Sequence, residues 1–151
     1  MSTSADASTH NIASETPPMH NQLEFFIEQA RKAGPIRTAV VHPVDHNSLL
    51  GAIEAAEQGL IEPLLVGPEH KIRAAAEIEG IDLSPYKIIS TEHSHMAAEC
   101  ACTLIREAKA EALMKGSLGT SELLSAVVHK TKGIRTERRL SHVFVFDVPN
   151  Y

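Results

Sequence analysis

The sequence predicts an α/β fold: a three-layer α/β/α sandwich on a mostly parallel sheet. Two observations lead there. Short apolar runs of strand length alternate with longer stretches whose apolar residues recur at helical spacing. The runs are apolar throughout rather than alternating with polar residues, which is the pattern of strands covered on both faces. Strand–helix repetition of this kind implies right-handed βαβ units with helices on both sides of the sheet.

Residues 1–20 are rich in Ser, Thr, Ala and Pro and nearly free of large apolar groups, so they are expected to be a disordered lead. Residues 21–34 carry Leu23, Phe26, Ile27 and Ala30 at helical spacing, an amphipathic helix ended by Gly34 and Pro35. The domain proper covers residues 36–151. Its first strand is Thr38–Val41, closed by His42 and Pro43. A helix follows on Leu49, Ile53, Ala56 and Leu60, with Asp45 or Asn47 placed to cap it. Pro63–Val66 is the second strand. Gly67 and Pro68 open a helix, Pro68 taking its first position, on Ile72, Ala75, Ala76 and Ile78, which stops at Gly80. Tyr86–Ile89 is the third strand. A helix from about Ser94 carries Ala97, Cys100, Ala101, Leu104 and Ile105. Ala112–Met114 is the fourth strand, followed by a helix on Leu123, Leu124, Val127 and Val128. His142–Val148 reads as a fifth, strongly apolar strand. With no helix after it, the chain reads as cut short, the alternative being an ordinary C-terminal strand.

The 151 residues suit one domain with a real core. Trp is absent and aromatic residues make up 4% of the chain, so that core must be aliphatic. The net charge of −5 argues against a nucleic-acid surface, which needs a basic patch. No apolar run reaches the roughly 20 residues of a membrane span, and no secretory signal is visible, so a cytoplasmic location is expected. Cys100 and Cys102 would point about 200° apart on a helix, which excludes a bridge and a shared metal and leaves free thiols.

Ligands of open α/β sheets bind beyond the carboxyl ends of the strands. Three segments there carry suitable groups. His42–Ser48 follows the first strand and offers Asn47 and Ser48 to an anion. Lys115–Ser121 follows the fourth, expected to be a central strand of the sheet. Gly116 and Gly119 permit close backbone approach, Lys115 supplies charge, and Ser117, Thr120 and Ser121 supply hydroxyls, the components of a phosphate cradle. Its Lys precedes the glycines, so it is not a Walker loop. Gly133–Arg139 brings Arg135, Arg138 and Arg139, suited to phosphate. Each segment also has a plain structural reading as a capped helix start, a turn or a solvated charge run. The pairs His42/His46 and His93/His95 lack a third ligand of clear spacing, so no metal site is expected. No G-x-S-x-G elbow supports a Ser–His–Asp triad.

The runs Thr38–Pro43 (TAVVHP), Gly51–Glu57 (GAIEAAE), Gly59–Pro68 (GLIEPLLVGP), Ala112–Ser117 (ALMKGS), Gly133–Thr136 (GIRT) and Ser141–Pro149 (SHVFVFDVP) resemble, in colinear order, the N-terminal half of the phosphate acetyl/butyryltransferases. The resemblance is closest to the branch often fused to an enoyl-CoA hydratase domain. It implies exchange of phosphate and coenzyme A on an acetyl or butyryl group, acyl-CoA plus phosphate giving acyl phosphate plus CoA. Coenzyme A would be a substrate, with no bound cofactor and no metal. It implies the first domain of a fold like the isocitrate and isopropylmalate dehydrogenases, with the site in an interdomain cleft. Carried over to this chain, the cleft wall comprises Lys115, Gly116, Ser117, Thr120, Arg135, Ser141 and His142.

The departures also matter. The family's proposed Asp base, with a neighbouring Ser and Arg, has no matching position here, so the catalytic residues are unassigned and little or no activity is expected of this chain alone. An Arg that some members carry after the Lys-Gly-Ser run is replaced near Ser125. The partners implied are acyl-CoA, acyl phosphate and phosphate, with neither nucleic acid nor membrane. Self-association through the uncovered apolar strand His142–Val148 is a further expectation. The alternative from another class is a non-catalytic module binding an anion or CoA. A receiver domain is excluded by His42-Pro43 and Ser90-Thr91, which stand where its acidic residues belong. A long-chain phosphate acyltransferase of similar fold differs in acyl length, which these residues do not decide.

Overall fold

The computed structural model describes residues 22–146. The expected lead at 1–20 and the last five residues lie outside them. Nine elements follow one another: α1 (Gln22–Ala33), β1 (Ile36–Val41), α2 (His46–Glu57), β2 (Ile61–Gly67), α3 (Glu69–Glu79), β3 (Lys87–Ser90), α4 (Ser94–Arg106), β4 (Ala112–Lys115) and α5 (Thr120–Val127). The strands form one sheet in the order β3-β2-β1-β4, every pairing parallel.

Alternation along the strands divides the core. Val40 and Leu65 face one side, where Leu49, Ala52 and Ile53 of α2 and Ile72, Ala75 and Ala76 of α3 cover them. Ala39, Val41 and Val66 face the other, against Ala97, Ala98, Ala101, Cys102 and Leu104 of α4 and Leu123 and Ala126 of α5. Burial on both faces is why these strands read as continuous apolar runs. Pro63 is tolerated in β2 because β3 begins pairing only at Leu64, so no ladder bond to β3 is lost there. Cys100 and Cys102 are both free thiols, the first half-buried and the second buried, and burial pushes both pKa values up.

The structure corrects three expectations. Pro68 is the N-cap of α3 rather than its first residue; its extended backbone, φ −62° and ψ 109°, leaves Glu69 to start the helix. β4 stands at the edge of the described sheet beside β1, not at its centre. The described part of the expected fifth strand, 142–146, is irregular, and Val143, Phe144, Val145 and Phe146 are 63–78% exposed. Apolar sequence alone does not make a strand: the backbone groups need a neighbouring strand, and none pairs with this segment among the described residues. The helix α1 forms as expected but buries none of its residues, leaving Leu23, Phe25 and Phe26 about half exposed.

Candidate functional site

The chain runs from β1 outward through β2 to β3, then returns to place β4 on the other side of β1. The connections leaving β1 and β4 therefore diverge, to α2 on one face of the sheet and α5 on the other. Such a switch point opens a crevice beyond the carboxyl ends of the two strands, where open α/β sheets bind ligands. Here the flanking segments are 42–45 and 116–119.

These two segments are stitched together by backbone. The β1–β4 ladder continues past Lys115: Gly116 N–H donates to Val41 O at 2.9 Å and Ser117 N–H to His42 O at 2.8 Å. That approach requires glycine at 116, because an added Cβ would stand 2.3 Å from Val41 O and 2.7 Å from His42 O. Leu118 N–H is also used, on Gly116 O at 3.0 Å. The amides of 116–118 thus serve the loop itself rather than pointing outward, as a phosphate cradle would need. The amides that an α-helix leaves without internal partners are those of the first turn of α5, at Thr120, Ser121 and Glu122. Its N-cap, Gly119, supplies no side-chain cap.

Side chains complete the rim. Lys115 is exposed, its Nζ 3.3 Å from Gly116 O. Asp45, not Asn47, caps α2, its Oδ1 accepting from Ser48 N–H at 2.8 Å. That backbone N–H, helped by the hydroxyls of Ser117 and Ser48, holds the Asp45 carboxyl below the ordinary carboxylate range. A depressed pKa in the folded state means stability that is present above the unfolded-state value and lost as pH falls through the folded one. Asp45→Asn keeps a capping side chain but cannot titrate. The variant is therefore expected to lose less stability than the parent on acidification below about pH 4, read by thermal melts across pH. Parallel pH profiles for the two proteins would refute this.

The ring of His42 turns its Nδ1 edge to the 116–119 segment and its Cδ2 edge toward Gly67 at the end of β2. Its Nδ1 is 2.8 Å from Ser117 O; a carbonyl only accepts, so Nδ1 carries the proton in this bond. Its backbone is left-handed, with φ of 59°.

Of the residues expected at the site, the structure brings Lys115, Gly116, Ser117 and Thr120 to the switch point. Arg135 leaves from the other end of α5, where it lines a groove with Val127, Val128, Ile134, Arg138, Arg139 and Leu140. The eight residues of α5 separate the two ends by about 12 Å. No hydrogen bond among the described residues joins Arg135, Ser141 or His142 to the 115–121 loop. Ser141 and His142 are exposed, and the His142 ring lies tilted by 37° against Phe144 with ring centroids 4.2 Å apart. No group of three potential metal ligands gathers among the described residues. No described helix is long and apolar enough to cross a membrane.

Comparison with known proteins then decides the family. A phosphate acetyltransferase of Rickettsia felis is 47% identical over 138 residues, which are 89% of this chain and 40% of the relative. A phosphate acetyltransferase of Rhizobium meliloti is 50% identical over 135 residues, 89% of this chain and 43% of the relative. The chain belongs to the phosphate acetyl/butyryltransferase family. A phosphate butyryltransferase of Clostridium beijerinckii, 34% identical over 133 residues, covers 88% of the chain and 44% of its own length. The chain thus spans about two fifths of the length of the curated relatives it matches. No family model matches it.

Sequence reasoning leaves the cap of α2 open between Asp45 and Asn47, and it reads His42 as the start of the His42–Ser48 segment and as half of an incomplete metal pair, without giving its ring a role at the site. The signal for His42 was its place at a strand end, beside the switch point that the strand order creates.

Proposed function

We propose that this chain supplies the phosphate-binding wall of a phosphate acyltransferase that exchanges phosphate and coenzyme A on an acetyl or butyryl group. The observation that carries this reading is the 47% identity to a phosphate acetyltransferase across nearly the whole chain. The geometry supports it. The β1–β4 switch point offers a cation at Lys115, hydroxyls at Ser117 and Thr120, and the first-turn amides of α5, all suited to an oxyanion. In the reaction, a phosphate oxygen attacks the thioester carbonyl, the C–S bond breaks and the CoA thiolate leaves and takes up a proton. Coenzyme A is a substrate in this reading, with no bound cofactor.

On this wall Lys115 neutralises the phosphate while the α5 amides orient it. Asp45 opposes an anion by its charge, which makes Lys115 the side chain on which affinity depends most. Lys115→Ala is expected to weaken the binding of inorganic phosphate to this chain about ten- to a hundredfold, since a hydrogen bond to a charged group contributes about 1.5–3 kcal/mol. Titration followed by 31P NMR reads this. Unchanged phosphate affinity in a normally folded variant would place the anion elsewhere.

A further inference from the structure

His42 is held in a conformation that its neighbours enforce. A non-glycine residue at positive φ is uncommon, and Pro43 after it narrows its choices further. The surrounding backbone fixes it from several sides. Its N–H donates to Val66 O at 2.7 Å, and its carbonyl accepts from Ser117 at 2.8 Å and from Val44 at 3.0 Å. Glycines at 67 and 116 make room for it: an added Cβ would stand 3.3 Å from His42 Cα at the first and 2.7 Å from His42 O at the second. Strain over-determined in this way accumulates at functional sites. The ring is fixed as well. With Nδ1–H committed to Ser117 O, the neutral imidazole has its lone pair on Nε2, and Nε2 has no hydrogen-bond partner among the described residues.

We infer that His42 is a substrate-contacting residue of this site: its Nε2 accepts a hydrogen bond from the P–OH of monoprotonated phosphate. The inference rests on the reading proposed above and adds to it a residue and an atom. The wall then divides its work. Lys115 and the α5 amides meet the charged oxygens, and His42 takes the one protonated oxygen, turning an unprotonated one toward the acyl carbon. A cation alone cannot make that distinction, because it does not accept hydrogen bonds. The competing account is that His42 only staples the two loops through Nδ1.

The two accounts separate at His42→Asn. Asn tolerates positive φ, and its side-chain amide can still donate toward Ser117 O, so the staple survives while Nε2 is removed. In the 15N-imidazole-labelled chain, inorganic phosphate is expected to shift the Nε2 resonance of His42. His42→Asn should bind phosphate about tenfold more weakly at an unchanged melting temperature. If the parent chain binds phosphate with the His42 ring unmoved, or His42→Asn binds it equally well, the role of His42 is structural and the inference falls alone. If the parent chain does not bind phosphate, the proposed phosphate wall falls and takes this inference with it. The ring resonance of the parent decides the matter even where the variant folds poorly.

Discussion

Gly116→Ala is expected to cost about 3 kcal/mol or more, a large share of the 5–15 kcal/mol that holds a domain together. The three nearest atoms to the new methyl would all be backbone: Val41 O at 2.3 Å, His42 O at 2.7 Å and His42 C at 2.8 Å. A flexible side chain could swing aside, but these atoms cannot, because they lie in the ladder between β1 and the extension of β4. Relief requires β4 to part from β1, which breaks the bonds from Gly116 N–H and Ser117 N–H and with them the contact of Ser117 O to His42 Nδ1. Loss of fold and loss of phosphate binding should therefore appear together. Gly119→Ala is the control within the same loop. Its nearest neighbours would be side-chain atoms at 3.8 and 4.0 Å, so only the modest cost of Ala in place of Gly at an N-cap, about 1 kcal/mol, is expected. Melts followed by circular dichroism compare the two. Equal melting temperatures for both variants would show that the loop yields and that the close approach is not a constraint.

The contrast within this loop shows what the sequence could reveal. Both glycines follow a predicted strand, and both read as permitting close backbone approach. Only Gly116 has a backbone beside it, because strand order, which periodicity does not encode, sets β4 against β1 rather than against β3. The alternation of Ala39, Val40 and Val41 between two covered faces was legible, since every residue in the run is apolar. The failure at 142–146 has the same origin. Val143–Phe146 has the side chains of a buried strand, but a strand is defined by its partner, and a run of residues does not name one. Site chemistry divided similarly. Lys115, Ser117 and Thr120 were readable as polar groups after a strand. The spending of the amides at 116–118 on β1, and the turning of the His42 ring to Ser117 O, depend on which strand lies alongside. Arg135 is joined to the loop by its charge and by the family resemblance, and in the fold the length of α5 stands between them.

Leu65→Ala is expected to lower stability by about 2–5 kcal/mol without removing the phosphate site from the molecules that remain folded. Leu65 is fully buried in β2, in register with Val40 on one side and Ile88 on the other. Its side chain lies in the cluster with Leu49 and Ile53 of α2 and Ile72 of α3. Truncation to Ala removes three carbons from a space walled by a sheet and two helices. Such walls close only partly, so a cavity cost adds to the lost transfer energy. The separation from the site comes from the pleat. Leu65 faces α2 and α3, whereas α5, whose first turn forms part of the proposed anion site, packs on the opposite face with Val41 and Val66. Damage behind the sheet should therefore lower the denaturation midpoint while leaving phosphate affinity within about twofold once corrected for the folded fraction. Gly116→Ala should lose both together. Urea denaturation and phosphate titration of the same preparations distinguish the two patterns. A loss below about 1 kcal/mol for Leu65→Ala would mean that α2 and α3 close over the gap and that this half of the core is loosely packed. A loss of phosphate affinity in its folded fraction would mean that the two faces of the sheet are coupled through β1.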